Sequence, residues 1–330
     1  MALKKPIQIG SLQLHNRLVM PPMDTELATE RGEATEALYD YYAQRVRGGH
    51  IGLVILEHSY ISQEGKANPR QLSIAEDACI ASLEKLTRLV HRESGKIFIQ
   101  LNHAGSMAVS EISGCEVVAP SSVLNPGRKV DGPAPRELTK EEILAVEDAF
   151  VRAALRGKAA GFDGVEIHSA HAYLLNQFFS PLTNHRRDAY GGGLQERMRI
   201  HLEILKKVRS AVGPEYPIAF RLGGCDYMEG GSIIQDAVEA CRILEAEGVD
   251  LLDLSGGMCR YILKDDQSPG YFSQMSRAVK TAVSVPVILT GGITTREEAE
   301  TLLREGAADL IGVGRAMRKD ARWAERVMTG

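Results

Sequence analysis

No C-x-x-C pair occurs in this chain of 330 residues, although it carries five cysteines. Cys79, Cys115, Cys225, Cys241 and Cys259 are scattered and odd in number, which argues against a disulfide framework and against a zinc or iron–sulfur cluster. A reducing cytoplasm is the compartment this usage predicts. No apolar run reaches membrane-spanning length, and the first ten residues lack the long apolar segment of a signal peptide. Positive charge is not in excess. Lys and Arg number 39 against 43 Asp and Glu, a net charge of −4, so neither a nucleic-acid nor a membrane partner is expected. No G-x-G-x-x-G follows the first strand-like run, which weakens a doubly wound dinucleotide fold. No strand-like run ends in lysine, which weakens a Schiff-base aldolase. Low-complexity stretches and composition breaks are also missing, so residues 1–330 are read as one domain.

What the chain does have is alternation. Short apolar runs occur at Leu18–Met20, Ile51–Leu56, Ile97–Leu101, Val165–His168, Ile218–Leu222, Leu251–Ser255, Val287–Thr290 and Leu310–Val313. Nearly every run is followed by a helical pattern, such as Glu36–Val46 or the series Ile80, Leu83, Leu86 and Val90. Thr139 with Glu142, Ser232 with Gln235, and Thr295 with Glu298 read as capping boxes that open helices. Continuous apolar strands imply burial on both faces, as in parallel sheets. Eight β/α units of this length predict a TIM (β/α)8 barrel. Ile7–Ile9 and Leu12–Leu14 around Gly10-Ser11 read as a β-hairpin capping the barrel bottom. Two long loops are expected after strands three and four, Asn102–Leu138 and His171–Gly193. Such loops at strand carboxyl ends usually carry function.

Two clusters carry chemistry. Gly291-Gly292 follows the seventh strand, and Gly314-Arg315 follows the eighth. Loops after strands seven and eight are the standard phosphate site of such barrels, with glycine N–H groups and an arginine clamp. Taken singly, the same residues could be tight turns and a surface charge. The second cluster is the buried strand Val165–His168 running into His171 and Tyr173. Two imidazoles can donate to one developing oxyanion, and a tyrosine can supply a proton. His168 and His171 could equally be a metal half-site or structural residues. A metal would need more ligands, and Glu166 is expected on the face opposite His168.

The motifs resemble the old yellow enzyme family, FMN-dependent ene-reductases, over nearly the whole chain. Asn16–Met23 is similar to the family's first-strand signature, and Ile99–Gly105 to its I-Q-L-x-H-x-G element. Tyr173–Gly192 is similar to the long segment Y-L-x-x-x-F-x-S-P-x-x-N-x-R-x-D-x-Y-G-G. Phe220-Arg221-Leu222 matches the fifth-strand arginine, and Asp309–Arg315 the end of the FMN-phosphate site.

The resemblance implies noncovalent FMN. Pro22, Met23 and Asp24 would lie beside its reactive edge, Gln100 at its pyrimidine side, and Arg221 near N1. Gly291, Gly292, Gly314 and Arg315 would hold its phosphate. It further implies that His168 and His171 polarise an unsaturated carbonyl substrate, that flavin N5 delivers hydride, and that Tyr173 protonates the α carbon. NADH or NADPH would reduce the flavin in a ping-pong cycle. Asp24 stands where the family usually has threonine, cysteine or glycine, with Thr25 the other candidate for that place. His58 stands where the family is often small. Some relatives continue into an iron–sulfur segment and a nucleotide-binding domain. The chain here is read as the short form, with electrons arriving directly from a bound nicotinamide and not through a cluster. A homo-oligomer is compatible with the sequence. Rival readings are a dienoyl-thioester or nitro or nitrate-ester reductase on the same flavin, a flavin-free phosphate-binding lyase or isomerase, and a flavin carrier without turnover.

Overall fold

The apolar runs become strands because valine, isoleucine and leucine side chains fill both faces of a buried pleat. The computed structural model describes residues 1–128 and 132–330. Twelve strands are present among them: β1 (Ile7–Ile9), β2 (Leu12–Leu14), β3 (Leu18–Met20), β4 (Leu53–Tyr60), β5 (Lys96–Asn102), β6 (Val118–Ala119), β7 (Arg136–Glu137), β8 (Gly164–Ser169), β9 (Ile218–Cys225), β10 (Leu251–Gly256), β11 (Val287–Thr290) and β12 (Leu310–Gly312). Eight of these close a parallel barrel in the order β3-β4-β5-β8-β9-β10-β11-β12 and back to β3. The helices that matter below are α1 (Glu36–Val46), α2 (Ile80–Arg92), α3 (Ser110–Ser113), α4 (Lys140–Ala159), α5 (Leu174–Phe179), α6 (Leu194–Val212), α7 (Ile234–Ala246), α8 (Ser273–Lys280), α9 (Arg296–Arg304) and α10 (Arg315–Lys319).

The expected hairpin is there, with Ile7 opposite Leu14. Its Ile9 and Leu14 pack with Val19, Leu53, Ile55, Phe98, Ala219, Leu251, Ile288 and Leu310. These residues lie near the amino ends of their strands, so the hairpin closes that end of the barrel. Gly164 makes room in this layer, since a Cβ there would sit 2.5 Å from the Phe98 ring. A much larger apolar shell joins the outer strand faces to the helices.

Thr139 with Glu142 caps α4 and Thr295 with Glu298 caps α9, both by reciprocal hydrogen bonds. The expected Ser232 box is displaced by one residue. Asp226 Oδ2 accepts the Ser232 N–H, and Asp226 N–H bonds the Ser232 carbonyl, so Ser232 is tied to the loop. The helix starts at Ile234 instead, and Asp236 accepts from the Ile233 N–H at 3.0 Å. Neither long insertion is bare loop. The first, Asn102–Leu138, holds α3 and the small β6–β7 pair, and its positions 129–131 lie outside the described residues. The second holds α5. Among the described residues, no helix is long and apolar enough to cross a membrane.

Candidate active site

Period-two alternation along a strand sends every second side chain into the barrel. Above the apolar layer the same strands turn polar. Gln100 follows Phe98 on β5, Arg221 follows Ala219 on β9, and Asp253 follows Leu251 on β10, each two residues on. Glu166 and His168 share this interior, which corrects the expectation that they face opposite ways. Residues two apart on a strand point to the same side, and Glu166 accepts from Gln100 Nε2 at 2.7 Å. His168 is in register with Arg221, and Arg221 with Asp253.

The His168–His171–Tyr173 cluster forms at the carboxyl end of β8. His171 and Ala172 both take left-handed backbone angles, φ 61° and 65°. That is uncommon outside glycine and costs on the order of 1 kcal/mol each. Buried amides hold the turn: Asn125 Nδ2 and Gln177 Nε2 both donate to the Ala172 carbonyl, and the Ala172 N–H donates to Asn176 Oδ1. The turn folds Tyr173 back over the strand end. The His168 ring lies 5.1 Å from His171 and 5.3 Å from Tyr173, edge-on to both. His171 Nε2 is 2.7 Å from Ser255 Oγ, while His168 Nδ1 is buried with no partner among the described residues.

Burial sets the protonation of the cluster. It pushes both imidazoles well below the usual histidine range, and the Arg221 cation pushes the same way. Both are therefore neutral near pH 7. Burial lifts Tyr173 to about 12, against the opposing pull of Arg260, so the phenol stays protonated.

Asp24, not Thr25, faces this cluster. Thr25 Oγ1 donates to Glu57 Oε2 at 2.7 Å, on the side of Tyr42 in α1. Asp24 Oδ2 accepts from Asn68 Nδ2 and lies 3.5 Å from His58 Nε2. The His58 tautomer follows from its neighbours. Gln71 Oε1 accepts the Ala67 N–H, so Gln71 Nε2 is the donor to His58 Nδ1 at 2.9 Å. With Nδ1 accepting, the Nε2 hydrogen of His58 points toward Asp24. Burial alone would raise the Asp24 pKa, but the hydrogen bond and charge of His58 hold it below the usual carboxylate value. His58 also stacks on Tyr173, with ring centroids 5.3 Å apart. Spacing could not have placed it. Leu53 and Ile55 of β4 point inward, but the register shifts between Leu56 and Ser59, which turns Glu57 outward and His58 in.

The two glycine loops meet on one side of the barrel mouth. Gly291 and Gly292 have φ of 140° and 67°, and the Tyr271 ring packs on them so closely that a Cβ at Gly291 would be 2.9 Å from it. Arg315 Nη2 donates to Tyr271 Oη at 3.2 Å. A Cβ at Gly314, the residue before α10, would meet Met23 Sδ at 2.7 Å, which brings the Pro22–Asp24 turn beside the last loop. Sequence reasoning missed Tyr271 and Asp253. The first has no local signature. The second is a lone acid in an apolar strand, a signal that was readable. Among the described residues, no three His, Cys, Asp or Glu side chains converge on a metal position.

Comparison with known proteins covers nearly the whole chain. Residues 2–330 match the model of the NADH:flavin oxidoreductase / NADH oxidase family. The chain is 41% identical over 330 residues to the NADH oxidase of Thermoanaerobacter brockii, covering 98% of itself but 50% of that protein. It thus spans about half the length of that curated relative. It is 37% identical to the NADPH dehydrogenase of Listeria monocytogenes, covering 96% of itself and 91% of that protein. The old yellow enzyme homologue of Zymomonas mobilis superposes with a TM-score of 0.84 at 32% identity, over 98% of this chain and 92% of that one. The chain belongs to the NADH:flavin oxidoreductase / NADH oxidase family, of old yellow enzyme type, and its cofactor is FMN.

Proposed function

We propose that the chain, as one FMN-binding barrel domain from 1 to 330, takes hydride from NADH or NADPH and reduces the activated C=C bond of an α,β-unsaturated carbonyl compound in a ping-pong cycle. The residues present fit FMN. Among the described residues Thr290 Oγ1 is a buried polar atom without a hydrogen-bond partner, and buried Arg221 Nε meets only the Asp253 carboxylate, at 3.1 Å and without hydrogen-bond alignment. Gly291, Gly292 and Gly314, with Arg315, form a backbone cradle and a cation of the kind that holds a phosphate. Gln100 and Arg221 would hold the pyrimidine side, and Pro22, Met23 and Asp24 the reactive edge. Bound there, FMN supplies a reversible hydride-accepting and hydride-donating centre.

The observation that carries the reading is the pair of buried neutral imidazoles beside a protonated phenol. His168 and His171 orient the substrate through its carbonyl oxygen. They meet the negative charge that grows there as donors already fixed by packing. Tyr173 gives its proton to the α carbon and regains one from solvent. Asp24 and His58 bound the pocket beside it.

A thioester substrate is the second reading. A cavity of about 830 Å³ opens from Tyr173, past Arg260 and Arg128, between the Ala67-Asn68 and Met107–Ile112 segments. That is room for far more than a small enone.

The test is spectroscopic. The purified protein should be yellow, lose its flavin band on anaerobic addition of NADH or NADPH, and recover it on adding cyclohexenone with one saturated ketone formed per flavin. A colourless protein that cannot be loaded with FMN, or a reduced flavin that enones leave untouched, would overturn the reading.

A further inference from the structure

Two carboxylates that no step above uses lie inside the barrel. Glu166 on β8 and Asp253 on β10 are both fully buried. Arg221 on β9 stands between their strands, with Nε 3.1 Å from Asp253 Oδ2. Gln100 on β5 gives Glu166 its one hydrogen bond. Among the described residues, Glu166 Oε2 and Asp253 Oδ1 have no hydrogen-bond partner, and Asp253 Oδ2 has only its ion-pair contact with Arg221. The groups that face the pair are Gln100 from β5, His168 from β8, His171 from the following turn, and Arg221 from β9. Ile288 on β11, in register with Asp253, is apolar. The imidazoles are neutral, so among the described residues facing the pair Arg221 is the charge that offsets the two acids. Two buried anions against one cation leave a charge that a low-dielectric interior opposes.

We propose that Glu166 and Asp253 form a proton-accepting pair, which takes up one proton from solvent when reduction of the flavin places negative charge next to Arg221 and releases it on reoxidation. This rests on FMN binding above Arg221, as proposed in the preceding subsection. The balance is simple. The nicotinamide passes two electrons and one proton to the flavin as hydride, which leaves one added negative charge. The pair then accepts a single solvent proton on a carboxylate oxygen, and no bond other than that O–H is formed or broken. Burial, repulsion from Asp253 and the opposing Arg221 charge put Glu166 at about 8, and burial against Arg221 puts Asp253 at about 6. These acids have raised pKa values, so the oxidised protein holds the proton at low pH and loses it as pH rises through about 8. Uptake on reduction is therefore smaller near pH 6, where the pair already holds a proton, and grows toward one per flavin above about 8.

The experiment counts protons in the holoprotein. It is reduced anaerobically with NADH in weak buffer containing a pH-indicator dye, at a series of pH values. Hydride transfer alone consumes no solvent proton. Wild type should take up about one proton per flavin above about pH 8, and the isosteric variants E166Q and D253N about none. Redox-difference infrared spectra should show a carboxylic-acid stretching band that rises on reduction in wild type and is missing in E166Q. Equal uptake in wild type and both variants, or no such band, would overturn the pair while leaving the flavin reading intact. Failure to bind or reduce FMN would overturn that reading first, and with it the pair. If one variant does not fold, the other and the wild-type infrared band still decide the question.

Discussion

Phe98 and Gln100 sit two residues apart on one strand and point into the same barrel, yet they belong to different worlds. Around Phe98 everything is apolar: Val19, Leu53, Ile55, Ala219, Leu251, Ile288 and Leu310, closed off by Ile9 and Leu14 of the hairpin. Around Gln100 almost nothing is: Glu166, Arg221, Asp253, His168 and, higher still, His171 and Tyr173. One step along β5, β9 and β10 changes a packed layer into a charged one. The lower layer holds the strands in register. The upper layer spends that rigidity on groups whose desolvation is unfavourable and whose protonation is shifted by it. Stability and chemistry are thus separated by height along the strands, and each half can be altered to see whether the separation holds.

The largest effect is expected from the lower half. Phe98→Ala should destabilise the fold by about 3–5 kcal/mol, the usual range for removing a buried phenylalanine. Denaturant unfolding reads this directly. The folded fraction should keep wild-type rates in both flavin half-reactions. A variant of near-normal stability with slowed reoxidation would break the separation.

Next comes the upper half. His168→Ala and His171→Ala should each slow reoxidation of the reduced flavin by an enone by about 2.7–4 kcal/mol of barrier, roughly a hundred- to a thousandfold. Flavin reduction by nicotinamide should slow less, and the unfolding midpoint should move little. Both imidazoles are held neutral well below the ordinary histidine value, so acidification does not charge them at once. The wild-type reoxidation rate should accordingly show no step near pH 6.5, the unperturbed imidazole value of about that size. Stopped-flow spectroscopy measures the two half-reactions apart. A clear step there, or wild-type reoxidation in both variants, would remove the histidines from the proposed role.

The two halves also differ in how far they could be read from sequence. The hairpin, the helix Glu36–Val46 and the strand Val287–Thr290 have the boundaries that local pattern predicts, because period and turn chemistry are local properties. The cluster of His168, His171 and Tyr173 lies within six positions of the chain, so its meeting was visible too. What was not visible needed a third dimension. The bulge in β4 reverses the inward parity at His58, and no composition signal marks it. Tyr271 joins two loops through contacts with residues far along the chain. Asp226 captures Ser232 and moves the start of α7. Glu166 differs from these: alternation alone places it with His168, so its facing was available and misread.

The smallest expected effect tests where the upper half ends. Asp24 lies at the rim, a carboxylate held ionised by His58 and Asn68 beside the proposed reactive edge of the flavin. Negative charge there opposes the negative charge gained on reduction. Asp24→Asn keeps the shape and removes the charge, so the flavin potential should become more positive, by on the order of 1 kcal/mol at an effective dielectric of about 20. Part of the Coulomb interaction is already cancelled by the donors on Asp24, and solvent at the rim screens more of it. Because its pKa is lowered, wild-type Asp24 stays ionised over the whole neutral range, and the difference between variant and wild type should be the same at about pH 6 and pH 8. That constancy separates Asp24 from the buried pair of Glu166 and Asp253, whose influence should change over the same interval. Dye-equilibration titrations at the two pH values measure both. A potential unmoved by D24N would confine the charged half of the barrel to its interior, with Asp24 serving only to hold His58 against Tyr173.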